Sequence, residues 1–356
     1  MSVEHLSIRG FRNLASVELE PAPGINWLVG ENGAGKTSVL EALFVLARGR
    51  SFRSNQMGAV IGHESDHLMV VAHLAKNDHR PGVVMGVERD EGGWRGRLGG
   101  NDCQRVSDFA RHLPVVLLEP DSHRLVSDGP QVRRQYLDWV MFHVEPSYLP
   151  AWQRYQKLLK QRNAALKTGA THELLNAIDA PMIQSAEVLN ELRAAHVSEL
   201  EQTVTALAET LGLRLPGVVG IGYRPGHAAD QALADALLDQ RERDREAGFT
   251  RVGPHRADLV VRVGGYPAAQ ESSRGQQKLL ATLLLLAKWE SLSAQPEHPP
   301  ILLVDDPVSE LDQDHLQRVM DWLSGQEQQV WVTATETGPK AVKMFHVERG
   351  QIRTVV

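Results

Sequence analysis

Alternating apolar and polar positions predict several strands in the first ninety residues. The segments Val3–Ile8 and Ser16–Leu19 have the period of two typical of a half-buried strand, and Ile25–Val29 is a short apolar run that ends at a glycine. Apolar residues then recur at helical spacing over Ser38–Arg48, and Gly49 ends that helix. Further alternating segments lie at residues 67–74 and 83–88. The pattern therefore predicts a β-lobe beside a strand–helix unit.

From about residue 146 the pattern changes to long helix-favouring segments with few glycines. These segments are residues 148–167, 173–208 and 230–246. Strand and helix patterns return afterwards, with strands predicted at 258–263, 301–304 and 329–333 and a helix at 273–292. We therefore predict one discontinuous α/β domain made of residues 1–145 and 247–356, interrupted by a mainly α-helical lobe at 146–246.

Composition narrows the class of protein. The chain has 356 residues, with 38 Lys and Arg against 44 Asp and Glu, for a formal net charge of −6. This balance excludes a uniformly basic nucleic-acid coat, so a nucleic-acid partner requires a local basic patch. Apolar residues make up 42% and charged residues 23%, which is typical of globular proteins and excludes disordered and collagen-like classes.

Three features of the sequence indicate the cellular compartment of the protein. Cys103 is the single cysteine, so no disulfide can form within the chain, which fits a reducing compartment. The first fourteen residues carry charged side chains and lack the apolar core of a signal peptide. The longest apolar stretch, Leu279–Ala287, is far shorter than the ~20 residues of a membrane helix and predicts a buried core helix. We expect a cytoplasmic protein with no membrane segment.

A phosphate-binding loop is predicted between the strand at 25–29 and the helix at 38–48. The pattern G-x-x-x-x-G-K-[ST] is matched by Gly30-Glu31-Asn32-Gly33-Ala34-Gly35-Lys36-Thr37. Its glycines let backbone N–H groups face a phosphate at a helix N-terminus. Lys36 can reach the β- and γ-phosphates, and the Thr37 hydroxyl can bind magnesium. The loop therefore predicts ATP and Mg²⁺ as cofactors.

Two later motifs fit the same chemistry. A buried strand at 301–304 ends in Asp305, placed to hold magnesium, and Asp306, placed to orient the attacking water. Some thirty residues earlier, Ser273 and Gly275 open a helix and could contact a γ-phosphate at its N-terminus, although the pattern is equally that of a capping turn. A further loop, Ser309-Glu310-Leu311-Asp312, follows the carboxylates directly.

Taken in this order, the motifs resemble the head of an ABC-type ATPase, and more narrowly the RecF family of bacterial recombination mediators. The narrower resemblance depends on segments outside the ATPase motifs. They are Ile8-Arg9-Gly10-Phe11-Arg12-Asn13, Arg50-Ser51-Phe52-Arg53, Gly253-Pro254-His255-Arg256, and Pro130 followed by Arg133-Arg134-Gln135-Tyr136-Leu137-Asp138. The resemblance covers most of the chain apart from residues 146–246.

The resemblance implies a head-to-tail dimer around two ATP molecules. Each nucleotide would contact the phosphate loop of one subunit, with Arg12 and Asn13 beside it, and Ser273, Gly275 and Gln276 of the other. The resemblance also implies ATP-dependent DNA binding, slow hydrolysis and cooperation with RecR and RecO to place RecA on gapped DNA. The sequence departs from the usual ABC pattern at Asp306, where most transporters have Glu, and at Ala334, where they have His. Thr335 is a neighbouring candidate for that switch position.

A local basic patch is present at residues 150–170, which contain no acidic residue. Its cations include Arg154, Lys157, Lys160, Arg162 and Lys167. Their spacing spreads charge over a wide helical arc, which suits DNA phosphates and equally suits an ordinary solvated face. Arg53, Arg133 and Arg134 are further DNA candidates that could instead support the nucleotide pocket or pair with carboxylates. Tyr148, Trp152 and Tyr155 could stack on bases, although packing is the commoner role of such spacing.

The leading hypothesis is an ATP-gated DNA clamp with weak, DNA-dependent ATPase activity that acts as a switch. A nucleotide-binding subunit of a membrane transporter is the alternative, and the helical insertion between Lys36 and Ser273 argues against it. A scaffold that binds ATP without hydrolysing it is the third hypothesis.

Overall fold

The computed structural model describes residues 2–295, 297–336 and 342–355. The chain forms two compact units. Unit 1 consists of Met1–Ser122 and Lys288–Val356, and unit 2 of His123–Ala287. The boundaries expected at 145/146 and 246/247 therefore both fall inside unit 2. Unit 2 extends beyond the predicted lobe at both ends because the helix at residues 130–144 and the strand at 258–263 pack together, joined by an ion pair between Arg133 and Asp258 at 2.8 Å.

The secondary structure follows the sequence pattern closely at the N-terminal end. The strands are β1 Val3–Phe11, β2 Leu14–Leu19, β3 Ile25–Val29, β4 Leu68–Leu74, β5 Val83–Asp90, β6 Gly93–Leu98, β7 Asn101–Cys103, β8 Val115–Leu118, β9 Val219–Arg224, β10 Asp258–Val263, β11 Tyr266–Pro267, β12 Ile301–Val304, β13 Val330–Ala334, β14 Lys343–Glu348 and β15 Gln351–Thr354. The helices are α1 Lys36–Arg48, α2 Val106–His112, α3 Arg124–Ser127, α4 Pro130–Val144, α5 Tyr148–Lys167, α6 His172–Thr210, α7 Leu233–Asp239, α8 Arg241–Ala247, α9 Ala268–Glu271, α10 Arg274–Ser293, α11 Pro307–Glu310 and α12 Gln313–Ser324.

The described residues of unit 1 form two six-stranded sheets. One is antiparallel, in the order β2-β1-β4-β5-β6-β7, and the other is mainly parallel, in the order β15-β14-β3-β13-β12-β8. Strands β12 and β13 are buried along their whole length, as expected for parallel strands covered on both faces. Nearly all of α1 is buried in the core, including Leu40 and Leu43. Because β3, β12 and β13 run parallel, their carboxyl ends meet at one edge of the sheet.

Unit 2 is mainly helical, with a small antiparallel sheet in the order β11-β10-β9. Helices α5 and α6 pack along each other over a core that includes Tyr148, Tyr155 and Leu189. Tyr148 and Tyr155 are 2% and 1% exposed, so they belong to the core and cannot stack on a bound base. Packing, the alternative left open by their helical spacing, is therefore the role of these two side chains.

Several elements differ from the sequence expectation. The helix expected over 230–246 is divided at Gln240 into α7 and α8. Strand β9 lies between two predicted helices of the lobe expected to be mainly helical, and neither β9 nor the β14–β15 hairpin is predicted by the sequence pattern. The apolar stretch Leu279–Ala287 is buried in α10 as expected. Among the described helices, none combines the length and apolar character needed to cross a bilayer.

Candidate nucleotide site

The phosphate loop connects β3 to α1 and is shaped by glycines. Gly33 and Gly35 have φ values of 80° and 118°, which lie in a backbone region that residues other than glycine rarely adopt. Gly35 is also the N-cap of α1, so the free N–H groups of the helix begin at the end of the loop. A Cβ atom on Gly30 would come within 2.1 Å of the Val347 carbonyl oxygen. The glycines therefore permit both the turn and the close approach of β14.

Lys36 is buried against its own loop. Its Nζ donates hydrogen bonds to the carbonyl oxygens of Gly30, at 2.7 Å, and Glu31, at 2.9 Å. Burial lowers the pKa of Lys36, and the nearby carboxylates of Asp305 and Asp306 raise it in part. The ammonium group is thus positioned over the loop without a direct carboxylate partner among the described contacts, as a phosphate-binding lysine requires.

Asp305 joins the loop to two strands. Its Oδ1 accepts hydrogen bonds from the hydroxyl of Thr37, at 2.8 Å, and from that of Thr333, at 2.9 Å. Burial raises the pKa of Asp305, Asp306 adds to the rise, and the two threonine hydrogen bonds oppose it. Thr37 and Asp305 therefore place two oxygen atoms side by side, the donor type that Mg²⁺ prefers. The residues fit the ion predicted from the sequence.

Asp306 has an unusual backbone conformation. Its φ of 45° and ψ of 60° lie in the left-handed region, which is uncommon for a residue other than glycine. Its N–H donates to Thr333 Oγ1 at 2.8 Å, and its side chain is exposed. Thr333 therefore positions both aspartates, and it was not singled out in the sequence. Thr335, the predicted switch candidate, is exposed and lines the same cavity.

Arg12 and Asn13 support the loop from the β1–β2 turn. The Arg12 guanidinium donates two hydrogen bonds to the carboxylate of Glu41, at 3.0 and 2.6 Å, and Glu41 also accepts from Ser51. Arg53 lies 3.6 Å from the same carboxylate. Asn13 donates to the carbonyl oxygen of Ala34 at 3.1 Å. Glu41 is fully buried and holds the two arginines at the site, a role that the sequence did not reveal.

These residues surround a cavity of about 770 Å³ in unit 1. Most of the predicted residues line it, namely Arg12, Asn13, Asn32, Gly33, Gly35, Lys36, Thr37, Arg53, Asp305 and Asp306. Gly30, Glu31 and Ala34 belong to the loop but not to the lining. The structure adds a segment that the sequence did not indicate, from Ile61 to Ser65.

The predicted signature residues lie in unit 2, at the start of α10. The backbone N–H of Ser273 donates to Gln276 Oε1 at 2.9 Å, and the N–H of Gln276 lies 3.3 Å from Ser273 Oγ. This reciprocal pair is a capping box, one of the two interpretations that the sequence left open. Ser273 and Gly275 are exposed, so the cap also leaves them accessible.

The predicted basic patch is partly confirmed as a surface. Arg154, Lys157, Lys160 and Lys167 are exposed on α5. Arg162 was wrongly predicted to contact DNA, because it is fully buried and paired with Asp179 and Asp244, each at 2.7 Å. Arg133 is engaged with Asp258 and largely buried, which removes it from the exposed surface. Arg53 lines the nucleotide cavity, and Arg134 remains partly exposed.

Thr37 and Lys36 follow β3, and Asp305 follows β12, with β13 between the two strands. This arrangement around a phosphate loop defines an ATPase head of the ABC and SMC type. The family model described as RecF/RecN/SMC N terminal domain matches residues 2–351. The chain belongs to the RecF family.

Full-length relatives and solved structures agree with this assignment. The DNA replication and repair protein RecF of Stenotrophomonas maltophilia is 42% identical over the whole of both chains, and that of Thioalkalivibrio sulfidiphilus is 39% identical over 99% of each. A structure of the recombination mediator protein RecF-ATPrS in the RecFOR pathway superimposes with a TM-score of 0.86 at 24% identity, covering 100% of this chain and 98% of that one. The Smc head bound to the C-winged helix domain of ScpA gives 0.60 at 16% identity, with the same coverage. These two structures share the fold.

Proposed function

We propose that the protein is an ATP-dependent DNA-binding protein of replication and recombinational repair. ATP would join two copies into a clamp on duplex or gapped DNA, and slow hydrolysis would release them. The observation that carries the proposal is that Lys36, Thr37, Asp305 and Thr333 line one cavity, where Asp305 accepts hydrogen bonds from both threonine hydroxyls and Lys36 is held over the phosphate loop. The relatives' description as DNA replication and repair proteins supports the DNA partner.

The residues of the cavity have distinct roles in this proposal. Backbone N–H groups of the loop and Lys36 hold the β- and γ-phosphates of ATP. Thr37 and Asp305 hold Mg²⁺, which supplies positive charge to the phosphate oxygens when bound. Asp306 orients the attacking water, and its short side chain, compared with Glu, fits slow hydrolysis. The ATPase is therefore a switch between two assembly states.

Ser273 supports a contact across the dimer. It is exposed at the N-terminus of a 20-residue helix, where free N–H groups and the helix dipole favour an anion. Binding of ATP shifts the monomer–dimer equilibrium only if the nucleotide interacts differently with the two states. A γ-phosphate held by Lys36 of one copy and by Ser273, Gly275 and Gln276 of the other satisfies this requirement.

DNA binding is assigned to the exposed cations of α5. Arg154, Lys157 and Lys160 follow one another at three-residue intervals without an acidic neighbour on the helix, which suits phosphate contacts that do not read sequence. The family resemblance adds a cytoplasmic location and the partners RecR and RecO, with RecA downstream. Membership of the RecF family argues against the transporter alternative.

Fluorescence anisotropy of a labelled gapped duplex tests the proposal. Wild-type protein should bind with ATP and weakly with ADP, the Lys36→Ala variant should not respond to ATP, and binding should fall as salt rises. Equal binding with ATP, with ADP and without nucleotide would contradict ATP gating. Measured turnover separates a hydrolysing switch from an ATP-binding scaffold.

A further inference from the structure

A second, smaller cavity lies entirely within unit 2, in the region of the Gly253-Pro254-His255-Arg256 motif. Its volume is about 140 Å³, and its polar and aromatic lining includes Arg134, Asp138, Trp152, Gln156, Arg193 and His255. The nucleotide site described above uses none of these side chains. The motif therefore has a structural setting that ATP binding does not explain.

The wall of this cavity is extensively hydrogen-bonded. Arg193 is 2% exposed and donates to the Tyr148 hydroxyl, at 2.9 Å, to the Pro254 carbonyl oxygen, at 2.9 Å, and to Asp138, at 2.5 Å. Both ring nitrogens of His255 are also engaged, one with the Tyr155 hydroxyl at 2.6 Å and one with the Thr250 carbonyl oxygen at 3.0 Å. A frame of hydrogen bonds to buried partners of this kind favours one side-chain geometry, which reduces the cost of ordering the wall when a ligand binds.

Arg134 differs from this frame because its hydrogen-bonding capacity is largely unused. Within the described part of the chain it makes one hydrogen bond, from Nη1 to the Ala257 carbonyl oxygen at 2.8 Å. An arginine has five N–H donors, so most of those of Arg134 have no protein acceptor among the described residues, and Arg134 lines the cavity. A planar fork with free donors matches the oxygen atoms of a phosphate.

The charge around Arg134 favours an anion. Burial lowers the pKa of Arg134, the neighbouring cations Arg193 and Arg256 lower it further, and the carboxylates of Asp258 and Asp138 oppose this. The two nearby carboxylates are already engaged, Asp138 with Arg193 and Asp258 with Arg133. The four arginines Arg133, Arg134, Arg193 and Arg256 thus outnumber the two carboxylates, and a bound anion would offset the remaining positive charge.

The cavity also continues the basic face of α5. Trp152, Gln156 and Lys160 are spaced four residues apart and so lie in one row along the helix. Trp152 and Gln156 line the cavity, and Lys160 is exposed one turn further on, close to Lys157. A polyanion lying along the exposed cations would reach the cavity at the end of this row.

We infer that this cavity binds a phosphate group of a nucleic-acid backbone through the free donors of Arg134, with Gln156 and Trp152 beside it. The inference deepens the proposed DNA-binding function, since it names a specific anchoring point in addition to the exposed lysines. It predicts one phosphate contact that involves a directed arginine fork and not charge alone.

The salt dependence of duplex binding, measured by anisotropy with ATP, tests the inference. Arg134→Ala should weaken binding at least about tenfold, the typical loss of one charged hydrogen bond, and reduce the slope of log affinity against log salt by about one. Arg134→Lys should keep the slope but lose part of the affinity, because it retains the charge without the fork. The exposed Arg124→Ala variant, also in unit 2, is the matched control and should leave both quantities unchanged. An Arg134→Ala slope equal to that of the wild type would overturn the inference.

A second measurement separates this inference from the proposed function. Inorganic phosphate is titrated into Lys36→Ala protein while tryptophan fluorescence is recorded, with Trp152→Phe identifying the reporter. A saturable fluorescence change in the Lys36→Ala protein that is absent when the protein also carries Arg134→Ala supports phosphate binding in the cavity, even if duplex binding is absent. If the tryptophan fluorescence shows no saturable change with phosphate, the cavity does not bind phosphate and the inference is contradicted. If phosphate binds but the Arg134→Ala variant keeps the wild-type salt slope for duplex binding, a site for the nucleic-acid backbone is contradicted. Thermal unfolding of the Arg134 variants shows whether a loss of binding reflects a loss of fold.

Discussion

The hydroxyl of Thr37 donates a 2.8 Å hydrogen bond to Asp305 Oδ1, which connects the phosphate loop to the end of β12. Asp305 is 6% exposed, and burial raises its pKa above that of an ordinary carboxyl group. Burial therefore makes ionisation of Asp305 less favourable in the nucleotide-free protein than ionisation of an exposed carboxyl group, and a bound cation would offset this cost. Asp305 is therefore expected to lower the free energy of unfolding of the nucleotide-free protein and, in the proposed function, to bind Mg²⁺.

Asp305→Asn separates these two effects. The amide retains an acceptor for Thr37 but carries no charge, so the free energy of unfolding without nucleotide should rise at pH 7. Magnesium-dependent ATP affinity should fall at least about tenfold, while affinity measured in EDTA should stay near that of the wild type. Calorimetric titration and urea unfolding measure these quantities, with the exposed Asp321→Asn as control. Preserved magnesium dependence would show that Asp305 is not a ligand.

Lys36→Arg should impair hydrolysis more than nucleotide binding. The arginine keeps the positive charge, but its planar guanidinium cannot reproduce the position of a buried ammonium that lies 2.7 Å from the Gly30 carbonyl oxygen. We expect turnover to fall by about 100-fold, as for loss of one transition-state donor, and the ATP dissociation constant to change by much less. Steady-state turnover and equilibrium binding give the comparison. A parallel loss in both would mean that Lys36 binds ground and transition states alike.

Glu41→Gln tests the buried acid that holds Arg12 and Arg53 beside the cavity. Removing one partner from a buried ion pair leaves the other without compensation, so the free energy of unfolding should fall by about 3 kcal/mol. Glu18→Gln is the matched control, because Glu18 is 46% exposed and its contacts with His5 and Arg9 should contribute less than about 1 kcal/mol. Equal losses in the two variants would contradict the role assigned to Glu41.

His255 should make the protein sensitive to acid. Burial lowers its pKa to about 4 from an ordinary value near 6.5, so between these pH values the unfolded chain binds a proton that the folded chain does not. The free energy of unfolding should therefore fall as pH falls through this range, by up to about 1.4 kcal/mol per pH unit from this group. Urea unfolding at several pH values should show a smaller slope in His255→Gln, whereas the exposed His79→Gln should match the wild type. Identical slopes in all three proteins would refute the assignment.

The local parts of the site were predictable because their chemistry is local. Eight consecutive residues define the phosphate loop, and an apolar strand followed by two aspartates defines the opposite wall. Thr333 was missed because its contact with Asp305 depends on the pairing of β12 with β13, which no local pattern specifies. Glu41 was missed because it lies on a helix whose burial on nearly every side is a tertiary property.

Arg162 shows how charge spacing can mislead. It follows Tyr155 by seven residues and Leu159 by three, which places it on the buried face of α5. That signal was present in the sequence, but its partners Asp179 and Asp244 lie on α6 and α8, far along the chain. A charged residue on an apolar face is therefore better interpreted as half of a buried pair. Arg154, Lys157 and Lys160 lie on the other face of α5, so the same reasoning favours them as the residues that contact DNA.

In the proposed function, two copies of the protein share each ATP, and this sharing gates DNA binding. Mixing Lys36→Ala with Ser273→Ala tests it directly, because a heterodimer of the two variants contains one site with both Lys36 and Ser273 intact. Light scattering and duplex anisotropy in the presence of ATP should show neither dimer nor DNA binding for either variant alone, and partial recovery of both in the mixture. If the wild type dimerises and binds DNA but the mixture does not recover either property, the shared site is contradicted. Wild-type behaviour of the Ser273→Ala variant alone would also contradict it.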